Sequence, residues 1–413
     1  MKLVKMSLLA ATLVASSAFA IDNVKVSGDA KLYYSTDDAS ENVVDASLFN
    51  RDSSAGQAAL GLGITADLTD GISAGAHLTA LSALGLTNIV SNVWEAELTD
   101  EFWFDEAWIA GTYGKTTAKV GRMALDTPLV FTETWSTAKN TFEAGVLINQ
   151  DIPDTTLVAA YVGEHNSGYA ATGTFAGVVQ SFGGGVNNTN FSLVNGGKGA
   201  YAVGAVNNSW KPLTVQGWFY NLPSFANAYW LQADLALDFG LLLGGQFSGI
   251  DVKPVATGDS ANTAMSAMAG YELKDIVTLS AAFSQTGEND NGIGVGGNVF
   301  GTGQSKLYTE AWWNYGYITR PDTTALNVTA KIPEALTYVA IGAYFTQVTV
   351  GENKTGVDKK QDMMEVTLEA SKSFGPLDAS LLYIMTDAED NNVDTSGEGQ
   401  SFNTVQAYLT YNF

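Results

Sequence analysis

Short runs of alternating apolar and polar residues recur along almost the whole chain. Over residues 57–68, Ala58, Leu60, Leu62, Ile64, Ala66 and Leu68 share one set of positions, and Gln57, Gly61, Thr65 and Asp67 the other. Tyr229, Leu231, Ala233, Leu235, Leu237 and Phe239 oppose Trp230, Gln232, Asp234 and Asp238. Met364, Val366, Leu368 and Ala370 oppose Glu365, Thr367, Glu369 and Ser371. The last nine residues, VQAYLTYNF, set Val405, Ala407, Leu409, Tyr411 and Phe413 against Gln406, Thr410 and Asn412. A period of two turns successive side chains to opposite faces, so each run predicts a β-strand with one greasy and one wet face. A soluble sandwich alternates in the same way. Here the polar face mixes Gly, Ser and Thr with charges, as a water-filled lumen tolerates and a packed core does not.

The connections separate the two architectures further. Tight turns are predicted at 69–71, 113–116, 152–155, 210–213, 239–241, 272–276, 333–336 and 374–377. Strands are predicted over 24–36, 54–69, 72–84, 104–113, 117–126, 141–151, 155–165, 199–210 and 213–221. The series continues over 226–239, 241–251, 262–273, 276–287, then 304–313 or 323–332, then 337–350, 361–374, 377–387 and 402–413. That is eighteen strands, with short turns on one side and longer polar loops on the other, the plan of a bacterial outer-membrane barrel. The fourteenth strand has two candidate positions. All eight prolines fall in proposed turns or loops, where a missing N–H breaks no ladder. The expected fold is therefore an all-β transmembrane antiparallel barrel, one domain over residues 21–413.

Composition narrows the class. Residues 1–20 place Lys2 and Lys5 before a short apolar run and the small-x-small end Ala18-Phe19-Ala20, a secretory signal peptide. No later stretch has eighteen consecutive apolar residues, so no transmembrane helix is expected. An exported chain without cysteine must draw its stability from elsewhere, such as a closed hydrogen-bonded barrel. Asp and Glu outnumber Lys and Arg by 43 to 20, for a net charge of −23. Phosphate binding needs a basic face, so a nucleic-acid partner is excluded. Divalent cations or cationic solutes suit such a surface. The glycines 183–185 mark a polar loop rather than a phosphate cradle.

Two stretches carry a family resemblance. KVGRMALDTPLV (residues 119–130) and TFEAGVLINQDIPDTTLVAAYV (141–162) resemble the segment around the third loop of OprD-like porins, and the start MKLVKMSLLAA resembles that of Campylobacter-type major outer-membrane porins. The resemblance implies an eighteen-stranded barrel, usually trimeric, in the outer membrane of a Gram-negative bacterium. It implies that the third extracellular loop, residues 127–140 here, folds inward to narrow the pore. Arg122, Asp126, Glu133, Lys139 and Glu143 flank or line that loop, where opposed charges would set an ion preference. Glu143 alternates with Gly145 and Asn149 and is expected in the lumen. Arg122 alternates with Val120 on the outer face unless a bulge re-aims it. Calcium binding in Campylobacter-type porins implies a possible site at Asp126, Glu133 and Glu143, whose oxygens are hard ligands. No other cofactor is expected. The aromatic ending with Tyr411 and Phe413 resembles the signal read by the barrel-assembly machinery.

Anion-selective OprD-type channels carry a ladder of basic residues, whereas this chain has only Arg51, Arg122 and Arg320 as arginines. Alternation places His77, Asp67, Glu106, Glu143, Asp234, Asp238, Glu365 and Glu369 as lumenal candidates, an acidic lining that favours cations. The expected function is passive diffusion of small hydrophilic solutes and ions, with lipid and lipopolysaccharide as surroundings. An adhesive or structural surface protein with incidental channel activity is the alternative. No serine or aspartate motif gives His77 or His165 a catalytic partner, so no enzyme is expected.

Overall fold

The computed structural model describes residues 22–38, 47–50, 53–82, 102–135, 137–167, 191–253, 258–301, 303–351, 361–388 and 400–413. Residues 1–20, read above as a signal peptide, the glycines 183–185 and Arg51 lie outside the described residues. The strands are β1 (Asp22–Asp37), β2 (Ser54–Thr69), β3 (Ile72–Ser82), β4 (Phe102–Tyr113), β5 (Thr116–Met123), β6 (Phe142–Asn149) and β7 (Thr155–His165). A two-residue stub, β8 (Ser192–Leu193), pairs with β7 and is followed by β9 (Ala200–Asn207), β10 (Leu213–Leu222), β11 (Ala226–Ala236) and β12 (Leu241–Val252). Next come β13 (Ala261–Leu273), β14 (Val277–Thr286), β15 (Thr323–Ile332), β16 (Ala340–Val350), β17 (Gln361–Phe374), β18 (Leu377–Ala388) and β19 (Gln400–Asn412).

Apart from the stub, each strand pairs antiparallel with the next, β7 pairs with β9, and β19 returns to β1. Eighteen strands thus form a closed barrel without a free edge. At the seam the Phe413 N–H donates to the Gly28 carbonyl at 2.9 Å, and the Gly28 N–H donates to the Phe413 carbonyl at 2.7 Å. Tyr411 and Phe413 continue the outward row of Leu409. The position over 323–332 is the true fourteenth barrel strand, while 304–313 belongs to the long connection between β14 and β15.

The two faces invert the soluble pattern. Leu60, Leu231 and Leu368 are about half exposed, whereas Glu365 and Thr367 on the inner face are almost wholly buried. In water that distribution would be unfavourable; against hydrocarbon the apolar outer face is at home and the strand N–H and C=O groups satisfy one another. No helix among the described residues is long and apolar enough to cross a membrane. The sheet does the crossing.

Two connections pack against the inner wall. In the β5–β6 connection the Leu129 N–H donates to the Tyr220 hydroxyl at 3.4 Å, and the Thr137 hydroxyl donates to Gln57 of β2. The β14–β15 connection meets it: the Val299 N–H donates to the Leu129 carbonyl at 2.9 Å, and Asn140 Nδ2 to the Phe300 carbonyl at 3.0 Å. Between them Leu129, Val130, Phe142, Trp230, Phe300 and Ile318 form one buried apolar cluster. Gly301 is required there, because a Cβ at that position would strike the Glu133 carboxylate and Asn298.

Candidate pore lining and constriction

One wall of the lumen, built by β1–β5, carries a chain of alternating charges. Lys31 Nζ lies 3.3 Å from Asp29 Oδ2, and His77 Nε2 lies 3.7 Å from Asp29 Oδ1. On its other side His77 Nδ1 meets Asp105 Oδ1 at 2.5 Å, and the Thr79 hydroxyl donates to Asp105 Oδ2 at 3.1 Å. Lys139, from the β5–β6 connection, sits 3.8 Å from Asp105 Oδ2 and pairs closely with Glu106. Lys119 Nζ stands 4.0 Å above the Trp108 ring. The geometry depends on a bulge. Leu78 and His77 of β3 face Phe104 and Glu106, leaving Asp105 as the extra residue, so both acids turn inward. Small residues make the space, since a Cβ on Gly61 would fall 2.5 Å from Asp29 Oδ1 and 2.9 Å from His77 Nε2.

His77 and Glu106 lie on this wall, Glu106 at the bulge. Asp29, Lys31, Asp105 and Lys119 belong beside them and were not among the residues nominated. For Lys31 and Lys119 the signal was present, because each alternates against an outward Leu32 or Val120. For Asp105 it was not, since a bulge leaves no trace in a period of two.

The residues nominated for the constriction do not converge. Arg122 pairs with Glu143 at 2.7 Å and donates to the Phe104 carbonyl, and its guanidinium lies 3.8 Å from the Phe191 ring centroid. The register sets Arg122 opposite Ala107 and Glu143, on the same outward rows as exposed Val120, Ile109 and Leu147. Arg122 thus keeps the outer face that strict alternation assigns. The lumenal expectation for Glu143 is corrected: Phe142 and Ala144 face inward, into the apolar cluster the loops build there. Asp126 is highly exposed and pairs with Lys306 of the β14–β15 connection. Glu133 is buried, accepting from Asn298 Nδ2 at 2.9 Å and Trp135 Nε1 at 3.4 Å. Asp126, Glu133 and Glu143 consequently point into three different environments, and no group of three metal-ligating side chains occurs among the described residues.

The wall of β11–β18 is organised differently. Glu365 faces inward but is covered. Its carboxylate accepts the backbone N–H groups of Trp312 at 2.7 Å, Trp313 at 3.2 Å and Asn314 at 2.8 Å, and Asn314 Nδ2 at 2.7 Å. Asp234 accepts the Tyr308 hydroxyl and Gln232 Nε2 at 2.7 Å, and Glu369 accepts the Tyr344 hydroxyl at 2.9 Å. Asp67 is inward near the turn end, bonded to Asn23 at 2.6 Å. Asp238 leaves the wall altogether: β11 stops at Ala236, and Asp238 is exposed in the turn closed by the Gly240 N–H on the Leu237 carbonyl at 2.8 Å. Within the β14–β15 connection, burial pushes the Glu310 carboxyl well above its usual range despite an N–H from Ser305 at 3.0 Å.

Beside this connection lies a chamber of about 700 Å³, lined by Trp135, Tyr308, Trp312, Trp313, Lys331 and Tyr344 among others. A smaller space of about 390 Å³ shares Thr278, Lys331 and Tyr344 with it and runs toward Glu272, Asp275 and Glu369 at the turn end.

No family model and no curated protein sequence matches the chain. Solved structures do. Pseudomonas aeruginosa OpdK, crystallised with vanillate, superposes with a TM-score of 0.70 at 13% identity, covering 95% of this chain and 99% of that one. Acinetobacter baumannii OccAB3 gives 0.69 at 13% identity, with 95% and 99% covered, and Pseudomonas aeruginosa OccK3 (OpdO) gives 0.65 at 12%, with 95% and 96% covered. The shared feature is the fold: the eighteen-stranded barrel of the OprD-like porins that residues 119–162 resemble.

Proposed function

We propose that this chain is an outer-membrane porin that passes small hydrophilic solutes and ions by passive diffusion. The observation that carries it is the inside-out barrel, apolar outward and charged inward, with water-accessible chambers against its inner wall. The two inward-packed connections form the constriction in this reading: Lys306–Asp126 joins one to the other, and Lys139–Glu106 fixes the β5–β6 connection to the wall. The fold shared with OpdK, OccAB3 and OccK3 supports the same class. Residues 1–20 would direct export, Tyr411 and Phe413 would be read during assembly, and the working unit would be a trimer among lipid and lipopolysaccharide.

Selectivity in this reading is a weak preference for cations that arises at the mouths. Lys31, Lys119, Lys139, Lys306 and Lys331 offset only part of the inner-wall acidity, and Glu365 among those acids is covered, which leaves the exposed mouth charges as the larger influence. Exposed Asp70, Asp151, Asp154, Asp238, Glu272 and Asp275 in the turns outnumber Lys115, Lys211 and Lys274 there. Mouth charges act through water and are screened beyond about 10 Å at 0.1 M salt. In planar bilayers a salt gradient should give a reversal potential favouring K⁺ over Cl⁻ that shrinks as the mean salt concentration rises. A salt-independent preference would assign selectivity to the wall instead, and a channel-free insert would support the adhesive alternative.

A further inference from the structure

The aromatic chamber is a built site that ion diffusion alone does not require, and we propose that it binds a neutral saccharide of one or two rings during passage. The inference rests on the porin reading and adds a solute class to it. Trp312 lies on an interior connection yet leaves 36% of its surface open. Its ring centre is 4.7 Å from that of Tyr344, tilted by 42°, and Trp135 meets Trp313 edge-on at 6.0 Å. These rings are held in place. The backbone N–H groups of residues 312–314 are fixed on Glu365, and the Tyr344 hydroxyl is held by Glu369 at 2.9 Å. Rigid aromatic faces open to water lose little entropy when a flat apolar surface stacks on them.

The rest of the lining chooses among ring-shaped solutes. Ser280, Gln304, Thr329 and Ser380 offer neutral donors and acceptors, matching hydroxyl groups rather than a formal charge. A cation would find the Tyr344 face shared with Lys331, whose Nζ lies 5.6 Å from the ring centre. An anion would find one lysine and the Glu310 carboxyl in the chamber and then, at the turn end of the adjoining space, Glu272, Asp275 and Glu369. A neutral ring with an apolar face and a hydroxyl rim meets neither obstacle. The volume of about 700 Å³ suits one or two sugar rings with water.

The test uses maltose as the probe on the full-length barrel. Maltose should block single-channel current in a saturable way, and polyethylene glycol of the same hydrodynamic radius should not. Trp312→Ala should raise the half-blocking concentration roughly tenfold, with Trp312→Phe between, because a stacking face is lost while the Glu365 anchors remain. Maltose should also quench tryptophan fluorescence of the detergent-solubilised protein, a readout that needs no current. Equal block by the polymer together with no fluorescence change overturns the saccharide site and leaves the porin reading standing. Stronger block by vanillate than by maltose, lost in Trp312→Ala, overturns the choice of a neutral ligand. Absence of any current with saturable fluorescence quenching would sink the porin reading and keep the site.

Discussion

The two walls of the lumen solve opposite problems. On β1–β5 the charges face one another across short gaps, as in Lys31–Asp29–His77–Asp105, and only Lys139 arrives from a loop. On β11–β18 the inner residues hold the β14–β15 connection, with Glu365 clasping three consecutive N–H groups and Asp234 holding Tyr308, while Glu369 fixes Tyr344 on the wall itself. In the porin reading the first wall is the one that meets passing ions. The second sets the shape of the passage. An inward carboxylate is thus not by itself a permeation residue, because what covers it decides its role.

The largest effect should come from breaking the second wall. Glu365→Ala would leave buried N–H groups without an acceptor, at about 1–3 kcal/mol each, and should lower barrel stability by roughly 3 kcal/mol or more. Urea unfolding in lipid vesicles measures it, and a released connection should also raise unit conductance. Glu365→Gln keeps an acceptor and should cost about a third as much.

Next is a pH effect on the same side. The folded-state carboxyl of Glu310 is raised by burial above its ordinary value near 4.5, so the folded barrel binds this proton more tightly than the unfolded chain. Its stabilising contribution is fully present below the ordinary value and is lost as pH rises through the raised folded value. Unfolding free energy should therefore fall over the range from about pH 4 upward, and Glu310→Gln should flatten that slope. An unchanged slope in the variant would assign the pH dependence to other groups.

The first wall should respond in selectivity rather than stability. Lys139→Ala removes the cation that meets Asp105 and Glu106, and should raise the K⁺/Cl⁻ permeability ratio by roughly twofold. The smallest effect belongs outside the lumen. Arg122→Ala or Glu143→Ala breaks a partly exposed pair, worth about 0.2–1 kcal/mol, and should leave the reversal potential unchanged. A shifted potential would put the pair back in the ion path and refute the outward register.

That last pair shows where sequence reading holds and where it stops. Strand positions were legible because hydrocarbon outside and water inside impose the alternation seen at Leu60, Leu62 and Ile64, and because prolines mark the turns. The closing strand was legible for the same reason. Glu143 misled because polarity was read as direction: where the connections pack against the wall, Phe142 and Ala144 find an apolar interior and the rule inverts. The roles of Glu133 and Glu365 were illegible, since both depend on contacts with a connection far away in sequence. Asp105 was hidden by the bulge that re-aims it.

The most direct test is the current carried by purified, folded barrels in a planar bilayer. Stepwise, ohmic increases in conductance are expected, each step enlarged by Glu365→Ala. Stable insertion of folded protein that passes no current would contradict the porin reading.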